Sequence, residues 1–285
     1  MAAGMFRVLL TAVLLACAGV TAVLAQGATP ERVSMPPPVK TDGIKPDALI
    51  GFLFKPSGTA PVPVVIGLHG CNGLFTPKGD FSKVTLDWAK RWVAAGYAVL
   101  FPDSFGSRGL GPQCTVQDRK IVPRHRADDV NAAADWLTGQ TFADAKRLAI
   151  VGWSHGGSTT LSAVRPNGKP SIAEFRTAIA FYPGCSGFNK TPGWRPRVPL
   201  NILIGVADDW TPAEPCRALQ SRPNVRYVEY PDAYHGFDAP DVAIRVRTGL
   251  RYSVKGDGTA HIGTNPAARA AAIDAVTSIL AAAFK

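Results

Sequence analysis

Arg147-Leu-Ala-Ile-Val-Gly-Trp-Ser-His-Gly-Gly-Ser158 is the stretch that decides the fold. Leu148 to Val151 has the composition of a strand buried on both faces, and Gly157 to Ala163 supplies small and β-branched residues suited to a helix packed close on a sheet. Between them lies Gly152-Trp-Ser-His-Gly156. A strand that enters a helix through Gly-x-Ser-x-Gly holds its serine on a sharp, strained turn, with the hydroxyl thrust out above the sheet. Glycine at 152 and 156 lets strand and helix approach. Ser154 is therefore a nucleophile candidate. The helix that starts beside it offers the His155 backbone N–H to an oxyanion.

A serine needs a base and an acid that orients the base, and on an elbow of this kind they follow in chain order, acid first. Leu200 to Val206 is a second apolar run, and it opens into Ala207-Asp-Asp-Trp-Thr-Pro212. Asp208, nearer the strand end and so better fixed, is favoured as the acid. Asp209 would cap the following helix, whose first turn suits Pro212, or face solvent. The base is His235, which follows the period-two segment Val225 to Tyr230 after a short loop. His261 lies in a polar Gly/Thr stretch and reads as a surface-loop residue, while His69, His125 and His155 precede the acid. A second oxyanion donor comes from Pro63-Val-Val-Ile-Gly-Leu-His-Gly-Cys-Asn-Gly73, a buried strand ending in His-Gly-x-x-Gly. That turn aims the Cys71 N–H at the substrate and leaves His69 to brace the loop. The sequence has neither His-Glu-x-x-His nor Cys-x-x-Cys, so no metal is expected.

Leu68-His-Gly-Cys71, Gly96-Tyr-Ala-Val-Leu-Phe-Pro-Asp103, Gly152-Trp-Ser-His-Gly-Gly157, Gly205-Val-Ala-Asp-Asp-Trp-Thr-Pro212 and Tyr234-His-Gly-Phe237 together resemble the dienelactone hydrolase family of the α/β-hydrolase superfamily. The resemblance spans nearly all of the chain after its leader. It implies a Cys or Ser nucleophile with Asp and His, hydrolysis of lactones or esters, and no cofactor. This chain differs from the founding lactone hydrolases in carrying Ser154 where they carry cysteine, and in its leader. Four cysteines follow the leader, Cys71, Cys114, Cys185 and Cys216, which allow three pairings. The strand neighbourhoods of the superfamily imply Cys71–Cys114 and Cys185–Cys216.

Arg7 followed by the apolar stretch Val8 to Leu24 and the small-residue site Val23-Leu-Ala25 reads as a signal peptide over residues 1–25, cleaved to leave Gln26 first. A lipoprotein acylated at Cys17, within Leu14-Leu-Ala-Cys17, ranks second, and a retained membrane anchor third. A periplasmic or secreted location follows, and paired cysteines suit it. Residues 26–45, rich in Pro and small polar residues, read as an extended arm, and residues 46–285 as one α/β domain. Its strands fall near 48–54, 63–69, 97–102, 147–151, 177–182, 199–205 and 225–230, with helices at 81–95, 127–138, 156–164 and 266–283. That alternation predicts a mostly parallel, doubly wound sheet.

The chain carries a formal charge of +10, or +9 without Arg7, which suits anionic partners. Arg119, Lys120, Arg124 and Arg126 read as the solvated start of the helix that contains Asp128 and Asp129, not as a nucleic-acid surface. Arg108 is on the right edge to meet an anionic substrate and is equally a plain loop charge. Trp210, Phe237 and Tyr182 are candidates for an apolar pocket wall, with Trp153 more naturally core. The partner expected is a small ester or lactone. A non-catalytic envelope binding protein, an amide hydrolase and an acyltransferase are the alternatives on the same fold.

Overall fold

The computed structural model describes Met1 and residues 30–38, 44–168 and 172–285. The segment read as a leader beyond Met1, its Cys17, and residues 26–29 and 39–43 of the segment read as an arm lie outside the described residues. Eight strands form the main sheet: β1 (Glu31–Met35), β2 (Leu49–Phe54), β3 (Val62–Leu68), β4 (Ala98–Pro102), β5 (Ala143–Trp153), β6 (Phe175–Phe181), β7 (Leu200–Gly205) and β8 (Val225–Tyr230). Their order is β1-β2-β4-β3-β5-β6-β7-β8. From β4 to β8 every pairing is parallel, and β1 and β2 are antiparallel additions. The central strands are apolar without alternation because both faces are covered: all six residues of β7 are buried.

β1 lies within the segment read as an arm. Val33 and Met35 face the core while Glu31, Arg32 and Ser34 face solvent. A five-residue edge strand with charged ends leaves only a faint pattern in the sequence.

The helices are α1 (Lys83–Ala94), α2 (Pro123–Thr138), α3 (His155–Ala163), α4 (Ser186–Asn189), α5 (Ala213–Ala218) and α6 (Pro266–Ala283). From β3 to β4 the chain moves one way along the sheet, and from β4 to β5 the other way. Right-handed crossovers therefore put α1 on the face opposite α2 and α3. An ion pair, Arg269 to Asp87 at 2.8 Å, ties α6 to α1. α6 is capped as its sequence predicts: the Asn265 side chain accepts from Ala268 N at 3.0 Å and Pro266 opens the helix. Its residues Ala268, Ala272, Val276 and Leu280, one every four, make the buried stripe.

Two local expectations fail. α2 begins at Pro123, and its first turns are not solvated throughout: Lys120 and Arg124 are exposed, but Arg126 and Asp129 are buried. A small antiparallel ladder, β9 (Arg245–Arg247) with β10 (Ala260–Ile262), replaces the surface loop expected around His261. Three-residue strands fall below what periodicity can reveal.

The connections leave the neighbouring strands β3 and β5 in opposite directions, so a crevice opens at their carboxyl ends, where open α/β sheets bind their ligands.

Candidate active site

Ser154 sits where β5 becomes α3, with φ 54° and ψ −115°, a left-handed backbone unusual for a residue other than glycine. The surroundings hold it there. Ser154 N donates to Phe181 O at 2.9 Å, and Ser158 N closes the first helical turn on Ser154 O at 2.8 Å. A Cβ on Gly152 would meet Gly156 O at 2.2 Å, and one on Gly156 would meet Leu68 O at 1.9 Å. A side chain at 152 would push α3 away from β5, and one at 156 would push the elbow off β3.

Asp208 and His235 come together beside it. His235 Nδ1 stands 2.8 Å from Asp208 Oδ2, and both side chains are buried, at 6% and 0% exposure. Asp208 Oδ1 accepts from the backbone N–H of Trp210 at 2.9 Å and Thr211 at 2.8 Å; the Thr211 hydroxyl lies 3.0 Å from Oδ2. So supported, the carboxylate can accept only an Nδ1–H, which leaves Nε2 of His235 as the free nitrogen. Asp209 turns away and pairs with His261, Oδ2 to Nδ1 at 2.8 Å.

A cavity of about 370 Å³ is lined by Ser154 and His235 together with His69, Cys71, Tyr182 and Trp210. The loop after β3, expected to supply an oxyanion donor, is fixed from several sides. His69 Nδ1 lies 2.8 Å from Gly70 O, Gln113 N donates to Cys71 O at 2.6 Å, and Cys71 is bonded to Cys114. The second disulfide, Cys185 to Cys216, ties the loop after β6 to α5, which follows the acid loop. Both bridges are those the resemblance implied. His155 opens α3, and its amide is among those the helix cannot use.

Of the wall candidates, Trp210 and Tyr182 face the cavity, and Trp153 touches it from the core, stacked on Phe181 at 5.8 Å. Phe237 does not face it. Gly236 adopts φ 74°, the chain turns, and Phe237 packs fully buried against Tyr230 at 4.9 Å and Tyr182 at 5.6 Å. Arg108 is also absent from the cavity. Its side chain is wholly buried, paired to Asp129 through two bonds at 2.8 and 3.0 Å, and donates to Ser104 O and Ile44 O. A guanidinium with its donors already engaged has little left for a substrate.

Three features escape the sequence reading. Asp238, fully buried, accepts from Trp88 Nε1 and Trp153 Nε1, each at 2.8 Å, and from the Tyr182 hydroxyl at 2.6 Å. Burial pushes its carboxyl up from the ordinary range, and those three donors pull it part of the way back. It thereby ties the residue before Ser154 to Tyr182, whose ring is 4.5 Å from that of His235. Arg126, wholly buried, bonds His155 Nδ1 at 2.9 Å; burial pulls the guanidinium down to about 10, against the charges of Asp129 and Asp103. Burial and then Arg126 hold His155 and His69 well below the usual imidazole range, so both are neutral. The third is the pair Arg245 and Arg247, which line the cavity from β9. Only Arg245-Val-Arg247, charged at alternate positions, carries a trace of this in the sequence.

The Prolyl oligopeptidase family matches residues 84–184, about a third of the chain. Dipeptidyl aminopeptidase BIII of Pseudoxanthomonas mexicana is 31% identical over 108 residues, 37% of this chain and 14% of that protein. The human acylamino-acid-releasing enzyme is 25% identical over 254 residues, 74% of this chain and 34% of its own length. The chain thus spans no more than about a third of these curated relatives. Among solved structures, a dienelactone hydrolase-like promiscuous phosphotriesterase from metagenomic libraries is similar over 91% of this chain and all of its own, with TM-score 0.66 and 21% identity. A puromycin hydrolase is similar over 90% of this chain and 39% of its own, with TM-score 0.60 and 19% identity. The parallel sheet, its helices and these likenesses make the chain an α/β-hydrolase by fold.

Proposed function

We propose that this chain is an exported serine hydrolase that cleaves carboxylic esters or lactones through an acyl-enzyme, with Ser154 as nucleophile, His235 as base and Asp208 as the orienting acid. One observation carries the reading: a serine held at φ 54° shares a cavity with a histidine whose Nδ1 is fixed by a buried carboxylate. Nε2 of His235 takes the hydroxyl proton as Oγ bonds to the carbonyl carbon, and the oxyanion settles on the Cys71 and His155 amides. The carbon–oxygen bond to the leaving group then breaks, and the same proton passes to the departing oxygen. Water repeats the sequence on the acyl-enzyme, releasing the acid and restoring Ser154. Two disulfides beside the site support a location outside the reducing cytosol.

Amide cleavage is the second reading, favoured by the similarity to peptidases. Against a free peptide amino terminus stands the lining of the cavity, which among the described residues holds Lys83, Arg245 and Arg247 but no Asp or Glu. A fluorophosphonate should label the wild type and not Ser154→Ala, and a panel of short p-nitrophenyl esters and matched anilides should be turned over on the ester side. Equal labelling of the two proteins removes the assignment of Ser154. Turnover of anilides alone makes the chain an amidase, and turnover of neither leaves a binding protein.

A further inference from the structure

We propose that the outer side of the β9–β10 ladder, with the turn it carries, is a docking surface for an anionic lipid bilayer. Ile244, Val246, Tyr252 and Val254 enter the interface, and Arg251 and Lys255 meet the headgroups. The inference goes beyond the hydrolase reading and does not depend on it, because it concerns a face of the molecule outside the cavity.

Eight large apolar side chains are exposed among the described residues, and four of them, Ile244, Val246, Tyr252 and Val254, fall between positions 244 and 254. Exposed apolar residues scattered singly are ordinary; a group gathered on one segment marks a contact surface. Strand alternation sets the direction of the first two. Arg245 and Arg247 line the cavity, so Ile244 and Val246, out of phase with them, turn to the opposite side and are absent from its lining. Tyr252 and Val254 follow on the chain between β9 and β10. That chain is fastened down: Leu250 is buried and its N–H donates to Gly258 O at 2.9 Å, Arg251 N donates to Cys114 O at 3.0 Å, and Val254 N to Asp209 O at 2.9 Å. A surface already held in place has little left to order on docking.

Charge says what covers this surface. Residues 244–255 hold Arg245, Arg247, Arg251 and Lys255 and no Asp or Glu. The Tyr252 ring is flanked by the guanidiniums of Arg119 and Arg251, 5.1 and 4.7 Å from its centroid. Acids border the segment without neutralising it: Asp241 precedes it, Asp257 is engaged by Thr259 and Ser253, and Asp118 pairs with Lys120. Exposed apolar side chains interleaved with cations suit an anionic membrane, because the apolar groups enter the acyl boundary while each basic group gains from the surface potential. Arginine and lysine lay their stems along the apolar groups and lift their charged ends to the phosphates. A second copy of this chain would instead set cation against cation, and a soluble polyanion would leave the apolar side chains in water. Since the other side of β9 borders the cavity, docking holds the cavity one strand away from the lipid.

Vesicle co-sedimentation tests this with the purified protein. Binding to vesicles of phosphatidylglycerol and phosphatidylcholine in equal parts should exceed binding to pure phosphatidylcholine at least about tenfold at low salt, and less at high salt. Arg251→Gln/Lys255→Gln should lower it about tenfold, whereas Arg226→Gln/Lys190→Gln, which removes the same charge from exposed positions elsewhere, should change it less than about twofold. Val246→Ser/Val254→Ser should weaken it about tenfold and leave its salt dependence intact. A Tyr252→Trp variant should show emission that brominated acyl chains quench beyond the wild-type level, and this readout decides alone if a surface variant loses its melting transition. Ser154→Ala should bind as the wild type does, so failure of the hydrolase reading and failure of this inference are separate results. Binding to the anionic vesicles no greater than to phosphatidylcholine overturns the proposal. Binding that both surface variants leave intact, as binding through the apolar stretch Val8 to Leu24 would be, does the same. So does retention on heparin, lost in Arg251→Gln/Lys255→Gln, by a protein that binds neither vesicle, since that would assign the surface to a soluble polyanion.

Discussion

Two Asp–His pairs stand side by side in this molecule, built from adjacent aspartates, and both set Nδ1 of the imidazole 2.8 Å from a carboxylate oxygen. Distance does not tell them apart. Asp208 and His235 are 0% and 6% exposed; Asp209 and His261 are 21% and 35% exposed. Asp208 is also held by two backbone amides and the Thr211 hydroxyl, whereas Asp209 accepts both of its bonds from His261 itself. In a dry site a fixed carboxylate holds one tautomer and stabilises the imidazolium as it forms; at a wet surface the same pair is screened. Burial and second partners, more than contact geometry, make one pair fit for catalysis and leave the other to pin a hairpin.

The sharpest way to break that contrast is to remove one charge from each pair. Asp208→Asn should lower kcat by roughly 10⁴-fold, because the amide lets the imidazole take the wrong tautomer. KM for a neutral ester should change far less, which steady-state kinetics resolves.

Next in size is the covalent tie on the buried side. Opening Cys71–Cys114, as Cys71→Ser/Cys114→Ser, frees the loop between them and should cost about 2–4 kcal/mol in denaturant unfolding. If the bridge also preorganises the oxyanion loop, kcat should fall further than substrate binding weakens. An unchanged kcat would confine the bridge to stability.

Asp238 extends the buried pair into the core. Asp238→Asn should lower kcat about 10- to 100-fold, since the amide that replaces one oxygen cannot accept from the donors now facing it. A purely structural role would lower the melting temperature and leave kcat per folded molecule unchanged. A positioning role makes Asp238→Asn and Tyr182→Phe non-additive and shifts the emission of Trp88 and Trp153, whose indole N–H groups both bond this carboxylate.

What the sequence discloses divides along the same line. The elbow and the residues proposed as acid and base were legible because each follows a strand, apolar throughout in the first two cases and of period two in the third, and a strand fixes where its carboxyl end points: Leu148 to Val151 before Ser154, Leu200 to Gly205 before Asp208, Val225 to Tyr230 before His235. Arg108, Arg126 and Asp238 were misread or missed because their roles depend on partners 21 to 150 residues away, such as Asp129, His155 and Trp88. A charge reads as solvated until its partner is known. β9 and β10 are too short to show a period, so the sequence reading passed over Arg245 and Arg247 of β9.

The neutral histidines under the oxyanion loop give the buried region a pH signature. His69 and His155 are held below the usual imidazole range, so in acid the unfolded chain takes up protons that the folded one refuses. Their contribution is constant above about pH 6.5 and is lost as pH falls from there toward the folded values. The melting temperature should therefore drop between pH 7.5 and pH 5.5, and drop less in His155→Asn. An equal drop in that variant would place the pH dependence elsewhere.

The smallest effect is expected from the exposed pair. Asp209→Asn should cost only about 0.2–1 kcal/mol of stability, diminishing in high salt, and should lower kcat on a neutral ester by less than about threefold. His261 lies on β10 opposite Val246, between the two arginines of β9, and Asp209 fastens that ladder both through His261 and through its own carbonyl, which accepts from Val254 N at 2.9 Å. The substitution leaves the carbonyl bond in place and loosens only the two side-chain bonds to His261, so the hairpin stays formed. A loss of kcat as large as that of Asp208→Asn would instead give the acid's role to Asp209 and erase the distinction between the two pairs.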